Sequence, residues 1–281
     1  MFRSAPNMRR RAERRGRGGS PRAPTSSGVR RTRVVLALAA AVLVGAALLS
    51  GLLLRNLPSD GGPSPGLKTA AIVDQLVLSF PNPTFVNSAT HLLEQAGYAV
   101  DYYPGDEVTV DFYRDLPTHG YDLILLRVHS GLARDRGEPT GYVSLFSGEP
   151  YDNTKYAKEE ADGLVGRATQ YTGGPQYFGI VPDFIESSMR GTFDGSTILV
   201  MGCDGLITDK TAEAFIQKGA KSVVGWSGRV SSTHTDTAVE RLLQHLLAER
   251  QTIGDAVAHV MAEVGSDPAY DSQLLVYPPK P

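Results

Sequence analysis

The sequence has one cysteine, Cys203, among 281 residues. A single thiol cannot form an intramolecular disulfide, so the fold must be stabilised by packing rather than by cross-links. Close pairs of the C-x-x-C or H-x-x-x-H type, which are typical of zinc sites, are also missing. We therefore expect neither a metal nor another cofactor.

Charge is absent from residues 34–54, a run of 21 almost wholly apolar positions. At about 1.5 Å per helical residue the run covers roughly 31 Å, close to the hydrocarbon thickness of a bilayer. It is too long for the apolar core of a cleaved signal peptide, and no clean A-x-A site follows it. A twin-arginine export signal at Arg30-Arg31 is the alternative, although Arg33 fits that motif poorly. We expect one uncleaved transmembrane helix.

Charge is also distributed unevenly along the chain. Residues 1–33 hold 11 of the 28 basic residues and one of the 30 acidic residues, so this tail carries about +10 and the rest about −12. By the positive-inside rule the tail is cytoplasmic, and residues 68–281 lie outside the cytoplasm in a single-pass protein of the cell membrane. The arginines adjoin the apolar run, so we expect lipid contact and no nucleic acid. Residues 55–67, rich in Pro, Gly and Ser, predict a flexible linker.

Residues 68–281 alternate apolar runs with amphipathic segments. The predicted strands are 69–78, 98–103, 123–128, 197–202 and 222–226, and the predicted helices are 82–96, 108–116, 211–218, one beginning near Pro182 and two C-terminal segments. Apolar strands separated by amphipathic helices indicate an α/β domain with a mainly parallel central sheet covered on both faces, a three-layer sandwich. Residues 131–196 are less regular.

Two predicted strands end in residues that suit catalysis. The run LILLRV leads into His129, and the run ILVM leads into Gly202 and Cys203. Functional groups of parallel sheets collect beyond the C-terminal ends of the strands, so tips of neighbouring strands can bring an imidazole to a thiol. An adjacent imidazolium stabilises the nucleophilic thiolate. A buried cysteine or a surface histidine is ordinary alone, but the two together favour a catalytic pair.

These strand ends resemble the signature of the caspase-like cysteine peptidases, the group that includes caspases, gingipains, legumains, separases and CHAT domains. The matching residues are LILLRV-His129-Ser130-Gly131 and ILVM-Gly202-Cys203-Asp204-Gly205. The stretch AEAFIQKGAKSVVGWSGRVSS is similar to the helix, Gly-Ala turn, strand and loop of gingipains and CHAT domains. The similarity covers about 195–264 and, less closely, 70–131.

The resemblance implies a caspase-like fold that hydrolyses peptide bonds through an acyl-enzyme. It makes Cys203 the nucleophile and His129 its base, and it gives Gly131 and the Cys203 amide the oxyanion role. Gly202 would leave room for the substrate to approach. Ser130 departs from the family's His-Gly pair, so either the oxyanion donor shifts to the Ser130 N–H or the site no longer cleaves peptides.

Two further residues are candidates for substrate binding. Asp74 is an unexpected carboxylate in the first strand, and Arg229 follows the fifth strand, where caspases place a basic residue for an acidic substrate side chain. His234 is a metal-ligand candidate, although helix capping by its neighbouring threonines is the simpler explanation. His91, His245 and His259 are expected on the surface.

Three functions therefore stay open. The first is a membrane-tethered cysteine peptidase acting on peptide or protein substrates. The second is a catalytically inactive interaction or regulatory domain of the same fold. The third is another thiol enzyme, or a metal-assisted hydrolase that uses His129, Cys203 and His234.

Overall fold

The structure, a computed structural model, describes residues 66–135 and 138–279. The central sheet consists of β1 (Lys68–Asp74), β2 (Tyr98–Pro104), β3 (Leu123–Arg127), β8 (Thr197–Val200), β9 (Ser222–Trp226) and β10 (Leu274–Tyr277). A second sheet consists of β4 (Ser130–Asp135), β5 (Glu138–Pro150), β6 (Val165–Thr169) and β7 (Gln176–Ile180).

The central sheet has the strand order β10-β9-β8-β3-β1-β2. All neighbours pair in parallel except β10, which runs antiparallel to β9 at one edge. From β1 the chain adds β2 on one side and then β3, β8, β9 and β10 in turn on the other. Helices lie between β1 and β2, between β2 and β3 and between β8 and β9, whereas the chain passes through the second sheet between β3 and β8. This result confirms the predicted α/β class with a mainly parallel sheet.

Helices bury both faces of this sheet. One hydrophobic cluster contains residues of α1 (Pro83–Gln95), α6 (Ser232–Leu243) and α7 (Ile253–Glu263), and another contains residues of α2 (Val110–Asp115), α4 (Pro182–Ser187) and α5 (Lys210–Gln217). Within β1, Ala70 and Ile72 belong to the first cluster, while Ala71 and Val73 belong to the second. The central strands are continuous apolar runs because each strand fills two interfaces, an arrangement compatible with three layers.

The first strand is shorter than predicted. It ends at Asp74, whose side chain accepts a hydrogen bond from the backbone N–H of Val77 at 3.0 Å. This N-cap turns the chain into a 3₁₀ helix over Gln75–Leu78, which the prediction had included in the strand. The turn brings Gln75 and the residues that follow it over the carboxyl end of the sheet.

The less regular region, 131–196, contains most of the second sheet, which was not predicted. Its order is β4-β5-β7-β6, and its paired strands run antiparallel. Val143, Leu145, Phe178 and Ile180 bury one side of it in the cluster that contains α2, α4 and α5. The same region contains α3 (Ala157–Ala161), which has no buried residue.

The predicted basic tail, the transmembrane helix at 34–54 and nearly all of the linker lie outside the described residues. Within 66–135 and 138–279, no helix is both long and apolar enough to cross a bilayer.

Candidate functional site

The strands that lead to His129 and Cys203 are direct neighbours. β3 and β8 pair in parallel, with Leu126 opposite Val200. The sequence-based expectation that these two strands lie side by side is therefore confirmed. Their carboxyl ends place His129 and Cys203 at the same edge of the sheet.

The backbones of the two strand ends are in close contact. A Cβ on Gly202 would lie 2.2 Å from Ser130 Oγ and 2.3 Å from the carbonyl oxygen of Val128, so only glycine fits there. Ser130 Oγ donates a hydrogen bond to the carbonyl oxygen of Cys203 at 2.6 Å. Ser130, the departure from the His-Gly pattern, thus links the two tips through its side chain.

The contacts of His129 come from the segment that follows β1. Its backbone N–H donates to Gln75 Oε1 at 2.8 Å, and its ring Nε2 lies 2.8 Å from Ser79 Oγ. Phe80 and Phe146 flank the ring, with centroids 5.9 Å away. Burial, with a smaller contribution from the nearby Arg127 guanidinium, lowers the pKa of His129 to about 4. The imidazole is therefore neutral at pH 7.

The contacts of Cys203 come from the loop that follows β9. Val230 N–H donates to Sγ at 3.5 Å, and the thiol lies 3.7 Å from the Val230 carbonyl oxygen. The side chain packs against the cluster that contains α1, α6 and α7. Burial raises the pKa of Cys203, and the charge of Asp204 also raises it, whereas the Val230 hydrogen bond lowers it. The cysteine is therefore a thiol at neutral pH.

The imidazole and the thiol thus have separate partners in this structure. In the order β9-β8-β3-β1, Cys203 contacts the segment beyond β9 and His129 contacts the segment beyond β1. In the described part of the chain no hydrogen bond joins Cys203 Sγ to the His129 ring. The fold brings the two backbones together but leaves the two side chains in separate environments.

Asp74 lies in a buried ion-pair network. Its Oδ1 accepts from Arg127 at 2.6 Å, and both side chains are almost fully buried. Arg127 also donates two hydrogen bonds of 2.8 Å to Asp236 and one of 2.9 Å to the Phe80 carbonyl oxygen. Tyr102 donates to the other Asp74 oxygen at 3.2 Å. These contacts give Asp74 a structural role beneath the site.

Arg127 is the main residue that sequence reasoning missed. It is 0 % exposed at the end of β3 and contacts residues from the ends of β1 and α6. Burial alone lowers its pKa, but the hydrogen bonds and charges of Asp236 and Asp74 outweigh that effect and raise it. The signal was present in LILLRV, because a charged residue inside an apolar strand needs buried partners.

Arg229 lies in the loop after β9 and is exposed. Its guanidinium carbon is 4.6 Å from the ring centroid of Tyr270, and its carbonyl oxygen accepts from Ser272 Oγ.

Of the predicted oxyanion residues, Ser130 and Gly131 begin β4 and lie opposite Leu145 and Ser144 of β5.

No family model matches the chain. A search of curated proteins likewise found no relative.

A cavity of about 330 Å³ opens beside His129. Leu78, Ser79 and Phe80 line it on one side, and Phe146 and Tyr177 of the second sheet line it on another. The unpredicted second sheet therefore supplies part of the cavity wall. Ser79 lines the cavity and contacts His129, and sequence reasoning missed it as well. Nothing in the sequence indicates that the segment after β1 lies against the end of β3.

The described residues contain no group of three or more His, Cys, Asp and Glu side chains that could hold a metal ion. His234, the metal-ligand candidate, has its Nε2 3.2 Å from the carbonyl oxygen of Gly265 and its ring against Trp226. His234 therefore has structural contacts of its own in α6.

Proposed function

We propose that residues 68–281 form a caspase-like cysteine peptidase with Cys203 as nucleophile and His129 as base, held at a membrane by residues 34–54. The observation that carries this proposal is the parallel pairing of β3 and β8, which delivers both residues to one edge of the sheet. The Ser130–Cys203 hydrogen bond adds support because it fixes the two strand ends against each other.

Catalysis requires the thiol to leave Val230 and turn toward the imidazole. Apo enzymes often hold catalytic groups apart and align them only with substrate, so the separate contacts are compatible with a resting state. In the tautomer protonated at Nε2, Ser79 Oγ accepts from His129, and Nδ1 takes the thiol proton. The sulfur then attacks the scissile carbonyl carbon to form a tetrahedral intermediate.

The intermediate collapses as the C–N bond breaks, and the imidazolium gives its proton to the departing amine. Water then hydrolyses the remaining thioester. The backbone N–H of Cys203 makes no hydrogen bond within the described residues, and it would donate to the oxyanion of the intermediate.

Labelling of Cys203 by a peptide that carries a mild electrophile tests this proposal. We expect modification at pH 7 and at least about 10²-fold slower modification in His129→Ala, because general-base assistance is of that size. His259→Ala is the matched control, since its ring is remote from the site and contacts Gln251. Equal labelling rates in wild type and His129→Ala would refute the peptidase.

The contacts of the thiol favour a second candidate, a catalytically inactive interaction domain. Burial raises the pKa of Cys203, and the thiol contacts Val230 rather than a base. This candidate predicts a thiol that is unreactive at neutral pH and partner binding that is unchanged in Cys203→Ala. Measured cleavage of any peptide that is lost in Cys203→Ala would rule it out.

A further inference from the structure

The walls of the cavity beside His129 differ from those expected of a pocket for a charged side chain. None of the lining residues is Asp, Glu, Lys or Arg. His129, the one titratable imidazole in the wall, is neutral at pH 7 because burial lowers its pKa to about 4. A charged side chain entering the cavity would lose water without gaining an ion pair.

The rim of the cavity exposes large apolar side chains to solvent. Leu78 and Phe80 are each 43 % exposed, and Tyr171, which also lines the cavity, is 60 % exposed. Phe146 and Tyr177 add aromatic surface to the wall. Covering such a group of apolar side chains is favourable, and an exposed cluster around a cavity marks a binding site more often than a scattered residue does.

The size of the cavity limits the ligand. At about 330 Å³ it is at the lower end of the range for small-molecule sites, so it suits a single large side chain rather than a cofactor. Its position also matters: His129, the proposed base, forms part of the wall. A side chain seated here would belong to a residue close to the scissile bond.

We propose that this cavity receives an aromatic or large aliphatic side chain of the substrate, so that cleavage occurs next to an uncharged, bulky residue. This inference rests on the proposed peptidase function. Arg229, the residue expected to select an acidic side chain, does not line the cavity and lies against Tyr270. The recognised partner is thus a peptide segment that presents Phe, Tyr or Leu.

Cleavage of peptide pools that differ at one position tests the substrate class. With the full chain in lipid nanodiscs, we expect kcat/KM to be at least about tenfold higher for Phe, Tyr or Leu than for Asp or Lys, because a filled apolar pocket discriminates by that order. A preference for Asp or Lys would overturn the pocket assignment and leave the peptidase intact.

A binding measurement separates the pocket from the catalysis. In Cys203→Ala, nuclear magnetic resonance should detect binding of N-acetyl-phenylalaninamide and much weaker binding of the α-amide of N-acetyl-aspartic acid, whose side-chain carboxylate is ionised at pH 7. Leu78→Glu on the rim should weaken the first probe at least about fivefold. Ile207→Glu, at a residue 42 % exposed and outside the cavity, should leave it unchanged.

The outcomes of the two measurements are distinct. Binding of the phenylalanine probe that Leu78→Glu weakens, without cleavage of any peptide by the wild type, would uphold the pocket and overturn the peptidase. Failure of the phenylalanine probe to bind, or binding that Leu78→Glu leaves unchanged, would overturn the pocket.

Discussion

At the scale of single residues, the candidate site is supported by buried charges. Arg127 is fully buried and satisfied by two carboxylates and a carbonyl oxygen. Such an arrangement contributes little net stability relative to an apolar core, but removing one partner leaves an uncompensated charge. The network therefore tolerates few single substitutions.

Arg127→Met tests this conclusion. We expect a loss of about 3–5 kcal/mol in the free energy of unfolding, because Asp74 and Asp236 would remain buried without a cation. Arg190→Met is the control: Arg190 forms an exposed ion pair with Asp115, and its loss should cost less than about 1 kcal/mol. Denaturant unfolding measures both, and equal effects would contradict the prediction.

Two histidines should give the stability opposite dependences on pH. The pKa of His129 is lowered to about 4 in the folded chain, whereas an unperturbed histidine titrates near 6.5. Between these pH values the unfolded chain is protonated at His129 and the folded chain is not, so the free energy of unfolding falls as the pH drops from about 6.5 to 4. His129→Gln removes this loss. When the pH is lowered from 7 to 4.5, the melting temperature of the variant minus that of the wild type should rise by about 3–6 °C.

We expect His245 to give the opposite dependence of stability on pH. It was expected on the surface but is buried, where Glu249 and Glu263 lie within ion-pair distance. Burial lowers its pKa, but the two carboxylates outweigh that effect and raise it. The stability it contributes is present below pH 6.5 and is lost as the pH rises through the raised pKa, so His245→Gln should lose more melting temperature at pH 5 than at pH 8. The same sign in both variants would refute this electrostatic account.

At the scale of secondary-structure elements, the site depends on contact between the ends of β3 and β8. The sequence placed His129 and Cys203 at the ends of two apolar parallel strands, and the hypothesis that these strands are neighbours is confirmed. The bounds of β9, 222–226, were also predicted as observed. Local patterns sufficed there, since buried strands of a parallel sheet are continuous apolar runs.

The remaining features of the site arise from contacts between distant segments. The Cys203 thiol is held by a hydrogen bond from the Val230 N–H. The His129 ring contacts the Ser79 hydroxyl, which is 50 positions away along the chain. The second sheet escaped prediction because most of its strands carry only short apolar stretches. The antiparallel β10 was missed for the same reason, since only its pairing with β9 defines it.

Gly202→Ala tests the contact between the strand ends. The new Cβ would lie within 2.3 Å of the Val128 carbonyl oxygen, which belongs to the backbone and cannot move aside freely. We expect a loss of about 1–3 kcal/mol from overpacking, together with altered reactivity of the adjacent Cys203. Gly166→Ala, where a Cβ would meet no atom within 4 Å, should change the melting temperature little. Comparable melting temperatures for the two variants would argue against the close contact.

At the scale of the whole molecule, charge asymmetry sets the proposed topology. The tail of residues 1–33 is strongly basic, and the rest of the chain is acidic. We propose that the tail remains in the cytoplasm and that 68–281 face the outside, in keeping with the positive-inside rule. Any substrate or partner would then be extracytoplasmic.

Protease added to intact cells tests this orientation. We expect digestion of residues 68–281 together with survival of an epitope fused to the N-terminus. Permeabilised cells serve as the control, in which both are digested. Protection of the C-terminal domain in intact cells would reverse the orientation.

The Arg127 network has a further consequence for the evolution of related sequences. Its two carboxylates lie 53 and 109 positions away along the chain, yet both pair with the same guanidinium. A lineage that loses Arg127 leaves two buried carboxylates without a cation, and one that loses either aspartate leaves buried N–H groups of Arg127 without an acceptor, so intermediate genotypes are disfavoured. Related chains are therefore expected to inherit Asp74, Arg127 and Asp236 as a set or to have exchanged all three for neutral side chains.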